Sequence, residues 1–189
     1  SDAGIASPQA TPSSTVNYTV TVTDANGCED SDDVTITVNP LPVVDAGADA
    51  EICDGETVQL NASGAQDYSW SPAVDLDDAA IADPVFDGSS TTTLTVTGTD
   101  ANGCSESDDV EIVVNPLPVA AFDTPSDVCL GQPTTIVDNS TGSGLVYDWT
   151  FGDGNGSADT APTHTYGSDG TFTIDLTVTD DNGCEATAS

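Results

Sequence analysis

The stretch "VTVTDANGC" at residues 20–28 is written twice more, as "VTGTDANGC" at 96–104 and "LTVTDDNGC" at 176–184. Each copy opens on an alternation of period two. Tyr18, Val20 and Val22 share one face of the first, and Leu94 and Val96 one face of the second. In the third, Phe172, Ile174, Leu176 and Val178 do the same. Alternating apolar and β-branched residues predict half-buried antiparallel strands. "DANG" and "DDNG" then supply Asn-Gly, a strong hairpin turn signal because both residues tolerate positive φ. "VTITVNP" and "VEIVVNP" follow the first two turns and read as the returning strand, through Val34, Ile36 and Val38, and through Val110, Ile112 and Val114. The phrase is therefore a penultimate strand, its turn and the start of a last strand.

An internal repeat of this kind sets the organisation of the whole chain. Cys28 and Cys104 are 76 positions apart, as are Cys53 and Cys129, while Cys104 and Cys184 are 80 apart. Modules of 76 to 80 residues are small for an independent core, so a covalent staple is expected. The returning strands run into "NPLPV" at 39–43 and 115–119, where two prolines end the ladder and stiffen a short linker. The boundaries fall there. Residues 1–39 align without a gap on 77–115 and read as the C-terminal half of a module, 40–115 as a whole module, and 116–189 as a module lacking most of its last strand. The stretch is expected to be a slice of a longer array. After each linker, "ICDGETVQLNAS" and "VCLGQPTTIVDNS" give a Cys, a Gly turn and another strand, and then Tyr68-x-Trp70 or Tyr147-x-Trp149. No run has helical periodicity. The expected fold is all-β: tandem sandwich modules joined by short Pro-containing linkers.

In 189 residues there are 33 Asp and Glu, no Lys, no Arg and one His, for a formal charge of −33. Selection against trypsin-like cleavage, a hydrated or cation-binding surface, a saline habitat and an inferred or engineered sequence all fit that bias. Its exclusions are firmer. Nothing neutralises phosphates, so nucleic acid is excluded as a partner, and so is attraction to anionic lipid headgroups. No apolar run approaches the length of a membrane-spanning helix. Catalysis needs a nucleophile, a base and an electrophilic stabiliser, and one His without Lys or Arg is a poor supply. No enzymatic activity is expected, and no cofactor is required.

"YDWTFGDGNGS" at 147–157, followed by "PTHTYGSDGTFTIDLTVTDDNGC" at 162–184, resembles the PKD (polycystic kidney disease) domain, an Ig-like β-sandwich. The residues that carry the resemblance are Trp149, Phe151, Gly152, Asp153, Gly154, Pro162, His164 and Tyr166. The middle module has "YSWSP" and "TDANGC" but neither Gly-Asp-Gly nor His, and is similar to divergent PKD/Ig-like repeats of large secreted proteins of Bacteroidota. The resemblance implies a non-catalytic extracellular or cell-surface module of a secreted bacterial protein, part of a fibre, stalk or adhesin shaft. The alternative is a spacer or carbohydrate-binding accessory module of a secreted hydrolase. Implied partners are neighbouring modules, other copies in a fibre, and surface glycans or proteins. From the residues alone, Trp149 is a core aromatic, the two glycines permit a tight turn, Asp153 can accept turn amides, and His164 is a hydrogen-bonded structural residue.

Cysteine positions suggest the staple. Cys53 precedes the second strand and Cys104 opens the last in the middle module, and Cys129 and Cys184 hold the equivalent places in the third. The expected bonds are Cys53–Cys104 and Cys129–Cys184, with free thiols as the alternative and a partner for Cys28 outside the window. Each such loop stabilises by roughly 4 kcal/mol on the chain-entropy model. Among the acidic clusters, Asp32/Asp33 and Asp45/Asp49 flank a linker and are the candidate Ca²⁺ ligands, set against a plain solvated acidic surface. Sequons begin at Asn17, Asn61, Asn139 and Asn155.

Overall fold

The structure, a computed structural model, describes residues 4–189. In the first module β1 (Val16–Thr23) and β2 (Glu29–Ile36) form an antiparallel hairpin in register from Val16 opposite Ile36 to Thr23 opposite Glu29. Tyr18, Val20, Val22, Val34 and Ile36 stay exposed, from 38% to 61%. The residues one repeat later include Leu94, Val96, Val110 and Ile112, all at 0–1% exposure. The same pattern is thus a surface in the hairpin and a core in the complete module. What differs is the presence of a facing sheet.

The middle module supplies that sheet. Its strands are β3 (Ala50–Cys53), β4 (Val58–Gln59), β5 (Asp67–Ser71), β6 (Val85–Phe86), β7 (Thr92–Thr99) and β8 (Ser105–Asn115). One sheet has the order β3-β8-β7-β5, and β4-β6 lies against it. Ala46, Leu60, Ala62, Trp70, Phe86, Leu94, Val96, Val110 and Ile112 make the core between them. Full burial of a Leu, Ile or Phe stabilises by about 1.5–3 kcal/mol. Trp70 buries its ring there and still satisfies its indole N–H, which donates to the Ile81 carbonyl at 2.9 Å.

In the third module the strands are β9 (Phe122–Asp123), β10 (Pro133–Thr135), β11 (Val137–Asp138), β12 (Val146–Thr150), β13 (Gly156–Ser157), β14 (Thr163–Thr165), β15 (Asp175–Thr179) and β16 (Glu185–Ala188). The main sheet is β13-β12-β15-β16, with β10-β14 and β9-β11 as separate pairs. Ile136, Trp149, Phe151, Tyr166, Leu176 and Val178 form its core. The sequence places Phe172 and Ile174 on the long strand, but β15 starts only at Asp175. Before it, the Thr173 backbone lies against Gly152, where a Cβ would come within 2.6 Å of the Thr173 oxygen. That stretch is held by a loop instead of a ladder partner. Every strand pairing among the described residues is made within one of the three segments.

The staple is where sequence and structure part. Cys53 is bonded to Cys184, 131 residues away and in the next module, with 5.6 Å between Cα atoms. The expected bonds Cys53–Cys104 and Cys129–Cys184 do not form, and Cys28, Cys104 and Cys129 are free. Strand direction explains the correction. β3 runs parallel to β8, so that Cys53 sits beside Asn115 at the far end of β8, whereas Cys104 precedes its start at Ser105. Eleven residues at 3.3 Å each separate the two ends by about 35 Å. A disulfide needs Cα atoms within roughly 7 Å. The two cysteines of one module therefore occupy its opposite ends.

Candidate functional site: the signature loop and the stapled joint

The signature residues of the third module converge on one loop. Trp149 is fully buried on β12, and its indole N–H donates to the Asp159 carbonyl at 2.9 Å. Phe151 follows on the same face at 2% exposure. The chain then turns through Gly152 at φ +73°, a conformation and a closeness to Thr173 that exclude a side chain. Asp153 is next, and its Oδ1 accepts the Asn155 N–H at 3.1 Å. Its Oδ2 lies 2.8 Å from His164 Nε2 on β14. The His164 ring stacks on Phe151, with centroids 4.2 Å apart, and meets the edge of Tyr166 at 4.6 Å. Tyr166 stacks in turn on Phe172, and its hydroxyl donates to the Phe151 carbonyl at 3.2 Å.

This cluster has the parts of an acid–base pair but is built as a clasp. Partial burial pushes the Asp153 carboxyl up, but hydrogen bonds from Asn155 and the His164 ring outweigh it and leave it below the usual carboxylate value. Tyr166 is held above the usual phenol value, first by desolvation and then by the charge on Asp153. The faces and edges of His164 are covered by Phe151, Tyr166 and Asp153, so β12 and β14 are locked together. Both tryptophans are in cores, at 2% for Trp70 and 0% for Trp149, so neither offers a stacking platform to a sugar.

The candidate Ca²⁺ ligands do not assemble. Asp32 and Asp33 lie on the exposed β2, and Asp32 Oδ1 accepts the Asp33 N–H. Asp45 Oδ1 accepts the Gly47 N–H at 2.9 Å, and Asp49 Oδ1 accepts the Glu111 N–H at 2.8 Å. Among the described residues no three His, Cys, Asp or Glu side chains are placed to hold a metal ion. Backbone amides take the place of the missing cations for these carboxylates, as for Asp77 with Val85 and Asp108 with Ala46.

The three repeated turns are superimposable in their bonding. Asp24, Asp100 and Asp180 each accept, through Oδ1, the N–H of the Asn two residues on and of the Cys four residues on, all at 2.8–2.9 Å. The Cys N–H contributes most to holding the Asp24 and Asp100 carboxyls below the usual value. Each turn thus presents one cysteine in a fixed pose. At the joint between the second and third modules, the linker leaves β8 at Asn115 and re-enters a ladder at Val119, which exchanges hydrogen bonds with Thr141 at 2.8 and 2.9 Å. Ser143, two residues further, accepts the Asp181 N–H at 3.2 Å. Asp181 belongs to the turn that carries Cys184. On the other side of the joint the Asp54 N–H donates to Asn115 at 2.8 Å, beside Cys53. The linker and the disulfide therefore tie the modules at neighbouring points. Sequence reasoning missed this joint. The signal available to it was only that two kinds of cysteine turn alternate along the chain, Asn-Gly-Cys at 28, 104 and 184 and Cys-x-Gly at 53 and 129.

The PKD domain family model matches residues 115–189. This part of the chain is a PKD domain. The match takes in the whole clasp from Trp149 to Tyr166 and the Cys184 turn. Over 82 residues the chain is 40% identical to a microbial collagenase of Vibrio alginolyticus, covering 41% of this chain and 10% of that protein. It is 46% identical over 48 residues to collagenase ColA of Bacillus cereus, covering 25% of this chain and 5% of that protein. The chain thus spans a tenth or less of the length of these curated relatives. Among solved structures, the N-terminal eight Ig domains of Down Syndrome Cell Adhesion Molecule align at 15% identity and a TM-score of 0.57, over 91% of this chain and 34% of that one. The last likeness is one of fold: tandem Ig-like sandwiches.

Proposed function

We propose that the chain is a non-catalytic spacer of an extracellular bacterial protein, an accessory segment that sets the distance and direction between neighbouring parts of a secreted hydrolase. The observation that carries this reading is the joint tied twice, by the linker at 115–119 and by Cys53–Cys184. A single flexible linker lets modules swivel and separate, and inter-domain motion is then the default. Two adjacent covalent ties remove free swivel. Disulfides persist in oxidising compartments, which supports an extracellular setting. The segments shared with two collagenases support the hydrolase context over a free-standing fibre. The internal repeat favours the second reading, a longer shaft or adhesin stalk, in which the same joint recurs many times.

Excision of residues 40–189 from the full-length protein tests the proposal. Turnover of a small soluble substrate by the remaining domains should be unchanged, while action on a large insoluble substrate should fall several-fold. Loss of small-substrate turnover would make the segment part of the catalytic machinery. No change on either substrate would leave the protein without a need for this spacer. A full-length protein with no hydrolytic activity and many further repeats would replace the hydrolase reading by the shaft.

A further inference from the structure

The second and third modules each carry one cysteine at either end, and the bond that forms is between modules. Cys184, on the Asn-Gly-Cys turn at the entry end of the third module, joins Cys53, on the Cys-x-Gly turn at the exit end of the second. Cys104 and Cys28 are held in the same turn as Cys184, with the same aspartate bonds and with glycine φ values of 81°, 82° and 82°. Cys129 repeats the turn of Cys53. The Gln132 N–H donates to the Cys129 carbonyl at 3.0 Å as the Glu56 N–H donates to that of Cys53 at 2.9 Å, and Gly131 and Gly55 both have positive φ. We propose that Cys28, Cys104 and Cys129 are the open halves of the same stitch. Cys104 and Cys28 bond the exit cysteine of the module before each of them, and Cys129 bonds the entry cysteine of the module that follows. The ligand of each thiol is thus the cysteine of a neighbouring Ig/PKD-like module.

Three observations carry the assignment. First, the register fits: Cys129 stands 76 residues after Cys53, and Cys104 stands 80 residues before Cys184 with Cys28 a further 76 before it, so each free thiol holds the place of one half of the bond that forms. Second, the intra-module alternative is about a strand length too long, since Cys104 and Cys53 flank opposite ends of β8. Third, Cys28 and Cys129 are exposed and Cys104 is partly so, as a thiol awaiting a partner must be.

Each stitch converts two thiols into one S–S bond, releasing two protons and two electrons. The electron acceptor is an oxidised dithiol, a protein or small-molecule disulfide of the extracytoplasmic space, which leaves as the reduced dithiol. The stitches would run parallel to the Pro-containing linkers, so that every joint is tied twice. The inference concerns the joints alone and is independent of whether the array serves a hydrolase or a shaft.

The test is a disulfide map of the full-length protein from its natural source. Free thiols are alkylated without reduction, and the protein is cut at Asp and Glu, since trypsin has no site in 1–189. Expected are peptides that join Cys28, Cys104 and Cys129 each to a cysteine outside 1–189, one module away. Replacing Cys129→Ser should free one thiol in the following module and leave the Cys104 bond in place. Alkylation of Cys104 and Cys129 in the unreduced protein would overturn the proposal. So would a bond between either of them and Cys53 or Cys184, or bonds that join two copies of this segment.

Discussion

Replacing Cys184→Ser opens the one bond that spans the two complete cores, and its cost can be worked from the connectivity. A closed loop of 131 residues corresponds to about 5 kcal/mol at 25 °C on the chain-entropy model. Cys104 makes no bond in the structure, so Cys104→Ser should cost little. Urea unfolding of the oxidised chain, followed by tryptophan fluorescence, reads both modules, because Trp70 and Trp149 sit one in each core. With a slope of about 2 kcal/mol per molar urea, the midpoint of the Cys184→Ser chain should fall by about 2.5 M. Dithiothreitol should bring the parent chain to the same midpoint and leave the variant unmoved. The transitions of the two tryptophans should also separate once the bond is gone. A loss in Cys104→Ser as large as in Cys184→Ser would refute the inter-module staple and restore the intra-module one. No loss in either would mean that the bond does not constrain the unfolded chain.

Trp149→Ala should destabilise the third module by about 3–5 kcal/mol in the same assay, because it empties a fully buried site and orphans the Asp159 carbonyl. The Asp153 carboxyl lies below its unfolded value of about 3.8, so the stability it contributes is present above that pH and is lost as pH falls through the folded value. The Tm difference between the parent and Asp153→Ala should therefore be largest above about pH 4 and shrink below pH 3.8, and a constant difference would contradict the clasp. With 33 acidic side chains and one His, NaCl should raise Tm by screening self-repulsion, and CaCl₂ at equal ionic strength should add nothing specific, since no metal-holding acidic cluster is assembled among the described residues; a saturable calorimetric gain would contradict this.

Most of the sandwich was legible because local chemistry dictates it. Alternation at Leu94, Val96, Val110 and Ile112 can be satisfied only by a half-buried strand pair, and Asn-Gly only by a tight turn. The signature from Trp149 to Tyr166 was legible as a structural motif for a related reason: its polar contacts, Trp149 to Asp159, Asp153 to His164 and Tyr166 to Phe151, close within 15 positions. The staple was not. Its reading required the direction of β3 relative to β8, and strand direction leaves no trace in residues 50–53. A parallel pairing puts Cys53 at the exit end, and an antiparallel one would have brought it toward the turn at Cys104. The environment of the candidate Ca²⁺ ligands was illegible for a related reason. Clustering in sequence says nothing of which carboxylates are already occupied by backbone amides, as Asp45 and Asp49 are.

The most direct measurement is a disulfide map of the isolated 1–189 chain, oxidised, alkylated without reduction, cut at Asp and Glu, and read by mass spectrometry. The expected result is one linked pair, Cys53 with Cys184, with Cys28, Cys104 and Cys129 alkylated. Cys53 linked to Cys104 together with Cys129 linked to Cys184 would contradict the inter-module joint on which the spacer reading rests.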